Sequence, residues 1–335
     1  MTVIALDALG GDHAPGAPVE AAISAAKTAG TKILLVGPTK QIAELLGEAS
    51  DDSAIGIVDA QEMITVGEQP VQALKKKQNS SIAVGLSLVK SGQADAFVSA
   101  GSTGALLAGG LLVLGRIRRI NRPALTAILP SANARPFLLL DVGANTSVKP
   151  ANLVQFAHMG SLYAENVLQI SSPRVGLLNI GTEETKGPEH YKQAYELLSN
   201  TGIRFVGNVE ARDIFAHHAD VLVCDGFVGN VVLKTIEGVA GTMFGMLKAQ
   251  VSLDTRSRLG GLLLKPYLKQ MAKTFDYSEY GGVPLLGLNG ALIKCHGSSN
   301  ATALRNGIEV ALRYVRSGVT RLISDAGTGE RSVQE

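Results

Sequence analysis

The chain has 335 residues, and apolar side chains make up 46% of them, which is ample for a sizeable core. The formal net charge of +2 gives no general sign of polyanion binding. The absence of tryptophan and the 4% of aromatic residues argue against a stacking platform for single-stranded nucleic acid. We therefore expect no nucleic acid partner.

Two cysteines, Cys224 and Cys295, lie far apart in the sequence and belong to no C-x-x-C motif. They predict reduced, buried residues of a cytoplasmic protein rather than a disulfide framework. The first residues lack the basic and apolar regions of a signal peptide. The longest apolar run, from 104 to 115, is shorter than the roughly 20 residues that a membrane span needs.

Short apolar strands alternate with helical segments from the first residues onward. Strands are predicted at 2–6, 33–37 and 55–58, with helices at 18–29 and 39–46 between them. This order predicts a mostly parallel sheet covered by helices on both faces. The G-x-G-x-x-G fingerprint is absent, which argues against an ordinary dinucleotide-binding half.

The stretch 95–105 is the clearest strand, polar turn and helix unit. Its apolar residues are followed by the turn Gly101–Gly104 and then by a predicted helix at 106–114. Free backbone N–H groups and small hydroxyls at a helix N-terminus suit phosphate. The alternative is a plain β–α connection that Ser102 or Thr103 caps.

Similar polar turns follow later strands along the chain. They are at 141–145, 179–187, 207–210, 225–230, 287–290 and 296–300, with helices predicted at 152–168, 231–246 and 301–315 and a loose tail at 324–335. Since ligands bind at the carboxyl ends of strands in open α/β sheets, we expect these turns to line one cleft. Lys186 and Lys234 are its candidate cations.

Several catalytic motifs are missing from the sequence. There is no G-x-S-x-G elbow, no H-E-x-x-H and no Walker A motif. The pair His217 and His218 is more typical of a helix end than of a metal site. Asp220 and Asp225 bracket one strand, and we favour capping of backbone N–H groups over metal binding there. What remains is an oxyanion site that orients phosphate and stabilises charge on a carbonyl oxygen without covalent catalysis.

Eight ordered blocks resemble the bacterial phosphate acyltransferase family. They are DALGGDHAP (7–15), SAGSTGA (99–105), DVGAN (141–145), LLNIGTEETKG (177–187), GNVEARDI (207–214), VCDGFVGNVVLKTIEG (223–238), DYSEYGGVPLLGLNG (276–290) and HGSSNA (296–301). The resemblance implies a three-layer α/β/α sandwich around a large mixed sheet, as in isocitrate and isopropylmalate dehydrogenases. It implies one domain over 1–335, with two lobes that share one sheet as the alternative.

The resemblance also implies the reaction and the site. The family moves a fatty acyl group from acyl carrier protein to inorganic phosphate for phospholipid synthesis, with no cofactor and no metal. The expected catalytic residues are Lys186, Asn179, Asp225 and Asn230; the expected substrate and phosphate ligands are Asp7, Gly10, Gly11, Asp12, Gly101, Ser102, Thr103, Gly104, Asn145, Gly181, Asn208 and His296. Two alternatives stay open: an NAD- and metal-dependent decarboxylating dehydrogenase of the same fold, with Asp220 and Asp225 as ligands, and a non-enzymatic scaffold.

Two basic stretches indicate an acidic partner such as the carrier protein. They are Lys75–Lys77 and the set Arg116, Arg118, Arg119 and Arg122. A solvated helix end is the alternative for the first.

The segment 254–275 places leucines 259, 262 and 263 beside basic residues. This pattern suits contact with an anionic membrane, and Gly260, Gly261 and Pro266 favour two short helical pieces joined by a bend. Burial against a second subunit of a homodimer is the alternative. The pattern therefore predicts a cytoplasmic protein that associates peripherally with the membrane, and the family resemblance implies the membrane glycerol-3-phosphate acyltransferase as an alternative contact.

Overall fold

The structure is a computed structural model that describes residues 1–28, 30–131, 135–275 and 281–329. Within these ranges, eleven strands form one sheet. They are β1 (Thr2–Asp7), β2 (Thr31–Gly37), β3 (Ile55–Asp59), β4 (Ala96–Ser99), β5 (Ala124–Leu129), β6 (Phe137–Leu140), β7 (Val175–Asn179), β8 (Phe205–Glu210), β9 (Val221–Val223), β10 (Val283–Leu286) and β11 (Ala291–Lys294).

The sheet has two parallel halves that run in opposite directions. Its order is β3-β2-β1-β4-β11-β10-β5-β6-β9-β7-β8. The first half, β3 to β11 in this order, is parallel throughout. The second half, β6 to β8, is parallel as well. Between them β10 is antiparallel to β11 and to β5, and β5 is antiparallel to β6. These three reversals place the carboxyl ends of the two halves at opposite edges of the sheet.

Helices cover both faces of this sheet. They are α1 (Gly16–Ala26), α2 (Thr39–Leu46), α3 (Pro70–Lys76), α4 (Ser81–Lys90), α5 (Thr103–Gly109), α6 (Pro150–Asn166), α7 (Glu189–Ser199), α8 (Gly226–Val251), α9 (Thr255–Phe275), α10 (Ala301–Ser317) and α11 (Val319–Gly329). A single π-helical turn over 110–114 extends α5. None of the described helices is long and apolar enough to cross a membrane.

The core lies in two apolar clusters, one on each face of the sheet. Successive strand side chains point to opposite faces, so Ile4 and Leu6 pack into one cluster while Ala5 packs into the other. The first cluster is shared with α1, α6 and α10, and the second with α3, α4 and α5. The expected three-layer arrangement around a large mixed sheet is confirmed.

The two separate helical pieces that we predicted in the segment 254–275 are wrong, because residues 255–275 form the single helix α9 with Pro266 inside it. Pro266 removes one helical hydrogen bond, but the carbonyl that loses it belongs to Leu262, which is 65% exposed, so water can replace the donor. A Cβ added at Gly261 would lie 1.9 Å from Val251 Cγ1. The glycine therefore lets α9 pack closely against α8.

The predicted loose tail was also wrong in part. Helix α11 extends through Ser324 to Gly329, and only 330–335 lie outside the described residues. Val319 and Ile323, at i and i+4, are both buried against the core. This apolar pair holds the start of the helix on the protein.

Candidate active site

The turn after β1 is held by the buried carboxylate of Asp7. One oxygen of Asp7 accepts hydrogen bonds from the N–H groups of Leu9 and Gly10, each 3.0 Å long, and the other accepts from Ser99 Oγ at 2.6 Å. Asp7 is 1% exposed, and burial raises the pKa of its carboxyl. In this structure Asp7 shapes the turn that carries the other expected ligands.

The three turns at the carboxyl edge of the first half touch one another. A Cβ added at Gly10 would lie 2.7 Å from the backbone nitrogen of Gly101, so glycine is needed where the two loops meet. A Cβ at Gly11 would lie 2.9 Å from the carbonyl oxygen of Gly297, and the N–H of Asp12 donates to that oxygen at 2.7 Å. The segments 10–12, 101–104 and 296–299 therefore form one polar rim.

His296 belongs to this rim. Its Nδ1 lies 2.8 Å from Ser298 Oγ. Burial lowers the pKa of His296, and the charges of Lys234 and Lys294 lower it further, against the opposite effects of Glu237 and Asp12. A neutral imidazole is the form that these surroundings favour.

The second half repeats the buried aspartate at the end of β6. Asp141 Oδ1 accepts from the N–H groups of Leu125, Gly143 and Ala144 at 2.9–3.1 Å. Its Oδ2 accepts from the backbone and side-chain nitrogens of Asn145 at 2.7 and 2.8 Å. Burial is the main cause of the raised pKa of the Asp141 carboxyl. Asn145 therefore holds this turn in place, and its side-chain nitrogen also donates a hydrogen bond to the carbonyl of Pro123.

Helix α8 begins directly against this turn. Asp225 is its N-cap and accepts from the N–H of Val228 at 2.9 Å, while Tyr191 Oη donates to its other oxygen at 2.7 Å. The capping role that we favoured for Asp225 is confirmed. Asn230, one turn into the helix, lies beside Gly143 and faces the cleft described below.

We expect Asp225→Ala to lower the free energy of unfolding by about 1–2 kcal/mol, because α8 loses its N-cap. Asp225→Asn keeps a good cap and should unfold close to the wild-type temperature in a calorimeter. If the asparagine variant is equally stable but inactive, Asp225 has the catalytic role that the sequence suggested. Normal activity in that variant would limit Asp225 to capping.

The loop after β7 gathers a third group of expected residues. Asn179 Nδ2 donates to the carbonyl of Lys186 at 3.1 Å, and Asn208 Nδ2 donates to the carbonyl of Glu183 at 2.8 Å. A Cβ added at Gly181 would lie 2.8 Å from Lys186 Cγ. Lys186 Nζ is 3.9 Å from Glu183 Oε1, and its side chain is 48% exposed. This loop lies at the carboxyl edge of the second half.

A cleft of about 270 Å³ lies between the sheet and α8. Its floor is apolar, from Leu125, Ala127 and Leu129 of β5. Its roof is one face of α8, with four residues at the spacing i, i+3, i+4 and i+7. They are Asn230, Leu233, Lys234 and Glu237.

Groups from both edges of the sheet line this cleft, which differs from the single edge we expected. Thr103 and His296 come from the first half, and Gly143 and Asn230 from the second. The reversals in the middle of the sheet are the reason, because β5 runs along the floor from one edge to the other. Lys186, Asn179 and Asp225 are not among the lining residues.

Two polar lining residues were missed in the sequence, Lys294 and Glu237. A lysine that ends the otherwise apolar strand β11 is a signal for the first. The helical spacing from Asn230 to Glu237 is a signal for the second, once α8 is known to begin at Gly226. The predicted helix at 231–246 already contained Leu233, Lys234 and Glu237, but the sequence does not show which face of that helix lies over the cleft.

No divalent metal site forms from Asp220 and Asp225. They flank β9 at opposite ends, and Asp220 instead accepts three hydrogen bonds from Arg174, one from its backbone N–H at 2.8 Å and two from its guanidinium group at 3.0 and 3.1 Å. His217 Nε2 also lies 3.1 Å from Asp220 Oδ1. Over the described part of the chain, no group of three or more His, Cys, Asp or Glu side chains is placed to hold a metal ion.

Comparison with known proteins gives one family and one fold. A family model described as "Fatty acid synthesis protein" matches residues 2–322. A phosphate acyltransferase from Heliobacterium modesticaldum is 55% identical over 318 residues, covering 94% of this chain and 93% of that one. A solved phosphotransacetylase from Streptococcus pyogenes has a TM-score of 0.62 at 17% identity and covers 94% of both chains.

A 4-hydroxythreonine-4-phosphate dehydrogenase from Klebsiella pneumoniae has a TM-score of 0.51 at 14% identity, covering 94% of this chain and 100% of that one. At such low identity the solved structures show the fold alone, and they agree with the dehydrogenase-like sandwich expected from the sequence. The identity to the curated relative extends over nearly the whole chain. The chain therefore belongs to the phosphate acyltransferase family.

Proposed function

We propose that this chain transfers a fatty acyl group from acyl carrier protein to inorganic phosphate, giving acyl phosphate for phospholipid synthesis. The observation that supports this most directly is the cleft under α8, which combines an apolar floor with two lysines and a polar rim of turns. An acyl chain suits the floor, and an oxyanion suits the lysines. Membership of the phosphate acyltransferase family supports the same reaction.

The proposed chemistry is direct transfer. An oxygen of phosphate attacks the thioester carbonyl, a C–O bond forms, the C–S bond breaks, and the carrier thiolate leaves and takes up a proton. Both cysteines are buried, and burial raises the pKa of Cys224 well above its usual value and that of Cys295 to about 12. Thiols held in the protonated form are poor nucleophiles, which supports a route without an acyl-enzyme.

The decisive experiment is turnover of acyl carrier thioester with and without phosphate. We expect acyl phosphate and free carrier to appear only when phosphate is present. Mass spectrometry of the quenched enzyme should show no added acyl mass. A trapped acyl adduct would contradict direct transfer, and a protein that binds the carrier without turnover would be a scaffold instead.

We also infer an acidic carrier protein as the partner. Lys75 and Lys76 are exposed at the end of α3. The third lysine of that run is already occupied, since Lys77 Nζ lies 2.8 Å from Glu68 Oε2. Arg118 and Arg119 add exposed guanidinium groups. Such surfaces raise the association rate with an acidic partner, and this effect weakens with added salt.

The helices α8 and α9 are the proposed contact with a membrane or a second subunit. No residue of α8 after Gly229 is fully buried, and Met243 and Met246 are more than 60% exposed. On α9, Leu263 and Tyr267 are each 70% exposed, at helical spacing of four residues. Large apolar patches of this kind mark interaction surfaces. The side chains of Lys269 and Lys273, which we expected to flank the patch, lie outside the described residues.

Leu263→Glu should abolish flotation with anionic liposomes, because a carboxylate replaces an apolar side chain at the centre of this patch. Leu45→Glu is the matched control, since Leu45 is an exposed leucine on α2 and is 47% exposed. We expect the control to float like the wild type. The oligomeric state is measured in parallel by light scattering.

Equal flotation of wild type and Leu263→Glu would count against membrane contact through α9. If the wild type does not float but the variant loses a dimer, the patch is a subunit interface. If a homodimer presents α8 and α9 of both subunits to the membrane, we expect Leu263→Glu to lose both flotation and the dimer.

A further inference from the structure

Lys294 is the one charged residue of β11 and the last residue of that strand. Its neighbour two positions back, Leu292, packs into the cluster on the α8 side of the sheet. Since strand side chains alternate, Lys294 is directed to the same face. It is half-buried there and lines the cleft.

Lys294 has no acidic partner among the described residues. The contact recorded for its ammonium group is a hydrogen bond to the backbone carbonyl of Cys295. Burial lowers the pKa of Lys294, and the nearby charge of Lys234 lowers it further, while the Cys295 thiol acts in the opposite direction. An ammonium group without a counter-ion in such a place costs free energy unless an anion joins it.

The surroundings of Lys294 also favour an anion. Lys234 on α8 lines the same end of the cleft, but its Nζ lies 2.7 Å from Glu237 Oε2 and its side chain is 54% exposed. His296 and Ser299 add an imidazole and a hydroxyl. The carboxylate of Glu237 is thus already paired, so Lys294 is the lysine of the described cleft lining that has no carboxylate partner.

We propose that Lys294, with Lys234 and His296, binds the inorganic phosphate that accepts the acyl group. This inference rests on the proposed function and locates its acceptor substrate. Phosphate offers acceptor oxygens to the three donors of an ammonium group. The apolar floor from Leu125 to Leu129 then lies beside the bound anion, where an acyl chain can approach it.

The first test uses phosphate alone, without an acyl donor. Inorganic phosphate should raise the melting temperature of the wild type by mass action. Lys294→Met should need about 10- to 100-fold more phosphate for the same rise, since a charge-assisted contact is lost. Lys40→Met, at an exposed position on α2, should respond like the wild type.

Without phosphate, Lys294→Met should melt at or above the wild-type temperature, because an unpaired ammonium group is replaced by an apolar side chain of similar length. A merely structural lysine would give a lower melting temperature. Equal phosphate shifts in wild type and Lys294→Met would overturn the proposal, and so would a wild type that phosphate does not stabilise.

The second test separates the acceptor from the donor. In steady-state kinetics Lys294→Met should raise KM for phosphate about 10- to 100-fold with little change in KM for acyl carrier protein, and Lys294→Arg should recover part of the loss. A rise confined to the donor KM would assign Lys294 to the donor and overturn the proposal. If the wild type forms no acyl phosphate, the proposed function fails, but the melting experiment still decides the phosphate site.

Discussion

Gly229→Ala should strongly destabilise the protein and reduce its activity about 100-fold or more. A Cβ at this position would lie 1.8 Å from the carbonyl oxygen of Asp141 and 2.9 Å from Cys224 Sγ. Both neighbours are fixed, since Asp141 holds the turn after β6 and Cys224 is fully buried. Overpacking of this kind costs about 1–3 kcal/mol or more, and the cheapest relief is a shift of α8.

Such a shift would move the roof of the cleft. Asn230 and Lys234 follow Gly229 on the same helix. A displacement of the start of that helix would therefore move both side chains. Misplacing substrate-contacting groups by about 1 Å can cost about 100-fold in rate. The thermal unfolding midpoint and kcat/KM should therefore fall together.

Gly238→Ala is the matched control. It makes the same change in the same helix, but a Cβ at Gly238 meets nothing within 4 Å. Alanine is the better helix former by about 0.5–1 kcal/mol, so we expect a small gain in stability and unchanged activity. A Gly229→Ala variant that melts and turns over like Gly238→Ala would contradict the close approach of α8 to the β6 turn.

The strands and their polar turns were predictable because the signals are local. A buried strand such as Val175–Asn179 is a short apolar run, and its end is marked by polar residues at once. The polar turns that begin at Asp7 and Asp141 were recognised in the same way, since each follows an apolar strand, but Asp141 was not named as a site residue and Asp7 was named only through the family resemblance. The sequence pattern does not distinguish a ligand from a residue that holds its own turn. The buried position of a side chain distinguishes the two roles, and Asp7 is buried where its carboxylate holds its own turn.

The shape of the cleft was not predictable, because it depends on strand pairing far along the chain. Leu285 pairs with Leu125 in the antiparallel arrangement that separates the two halves of the sheet. No local sequence pattern indicates a strand pairing across 160 residues. The turns were therefore expected at one edge of the sheet. For the same reason Lys294 was overlooked, since its importance arises only when α8 crosses over β5.

Lys186 is the residue on which sequence and structure disagree most. The sequence placed it in a glycine-rich loop with Asn179 and Gly181, typical of an oxyanion site. The structure keeps those neighbours but leaves Lys186 outside the cleft, partly exposed and near Glu183. The position of Lys186 gives no support of its own to a catalytic role, so the stabilisation of charge on the thioester carbonyl by Lys186 stays a prediction from the sequence, beside the proposed phosphate binding by Lys294.

If this role is correct, Lys186→Ala should lower kcat by about 100- to 1,000-fold, the usual loss for one preorganised donor to a developing oxyanion. Lys192→Ala is a close control, since each lysine lies 3.9 Å from a glutamate three residues earlier and their side chains are 48% and 43% exposed. Exposed pairs contribute little to stability, so both variants should melt like the wild type. Near-normal turnover and phosphate affinity in Lys186→Ala would remove Lys186 from the catalytic residues, and the charge would then have to be stabilised by groups already in the cleft, such as Asn230.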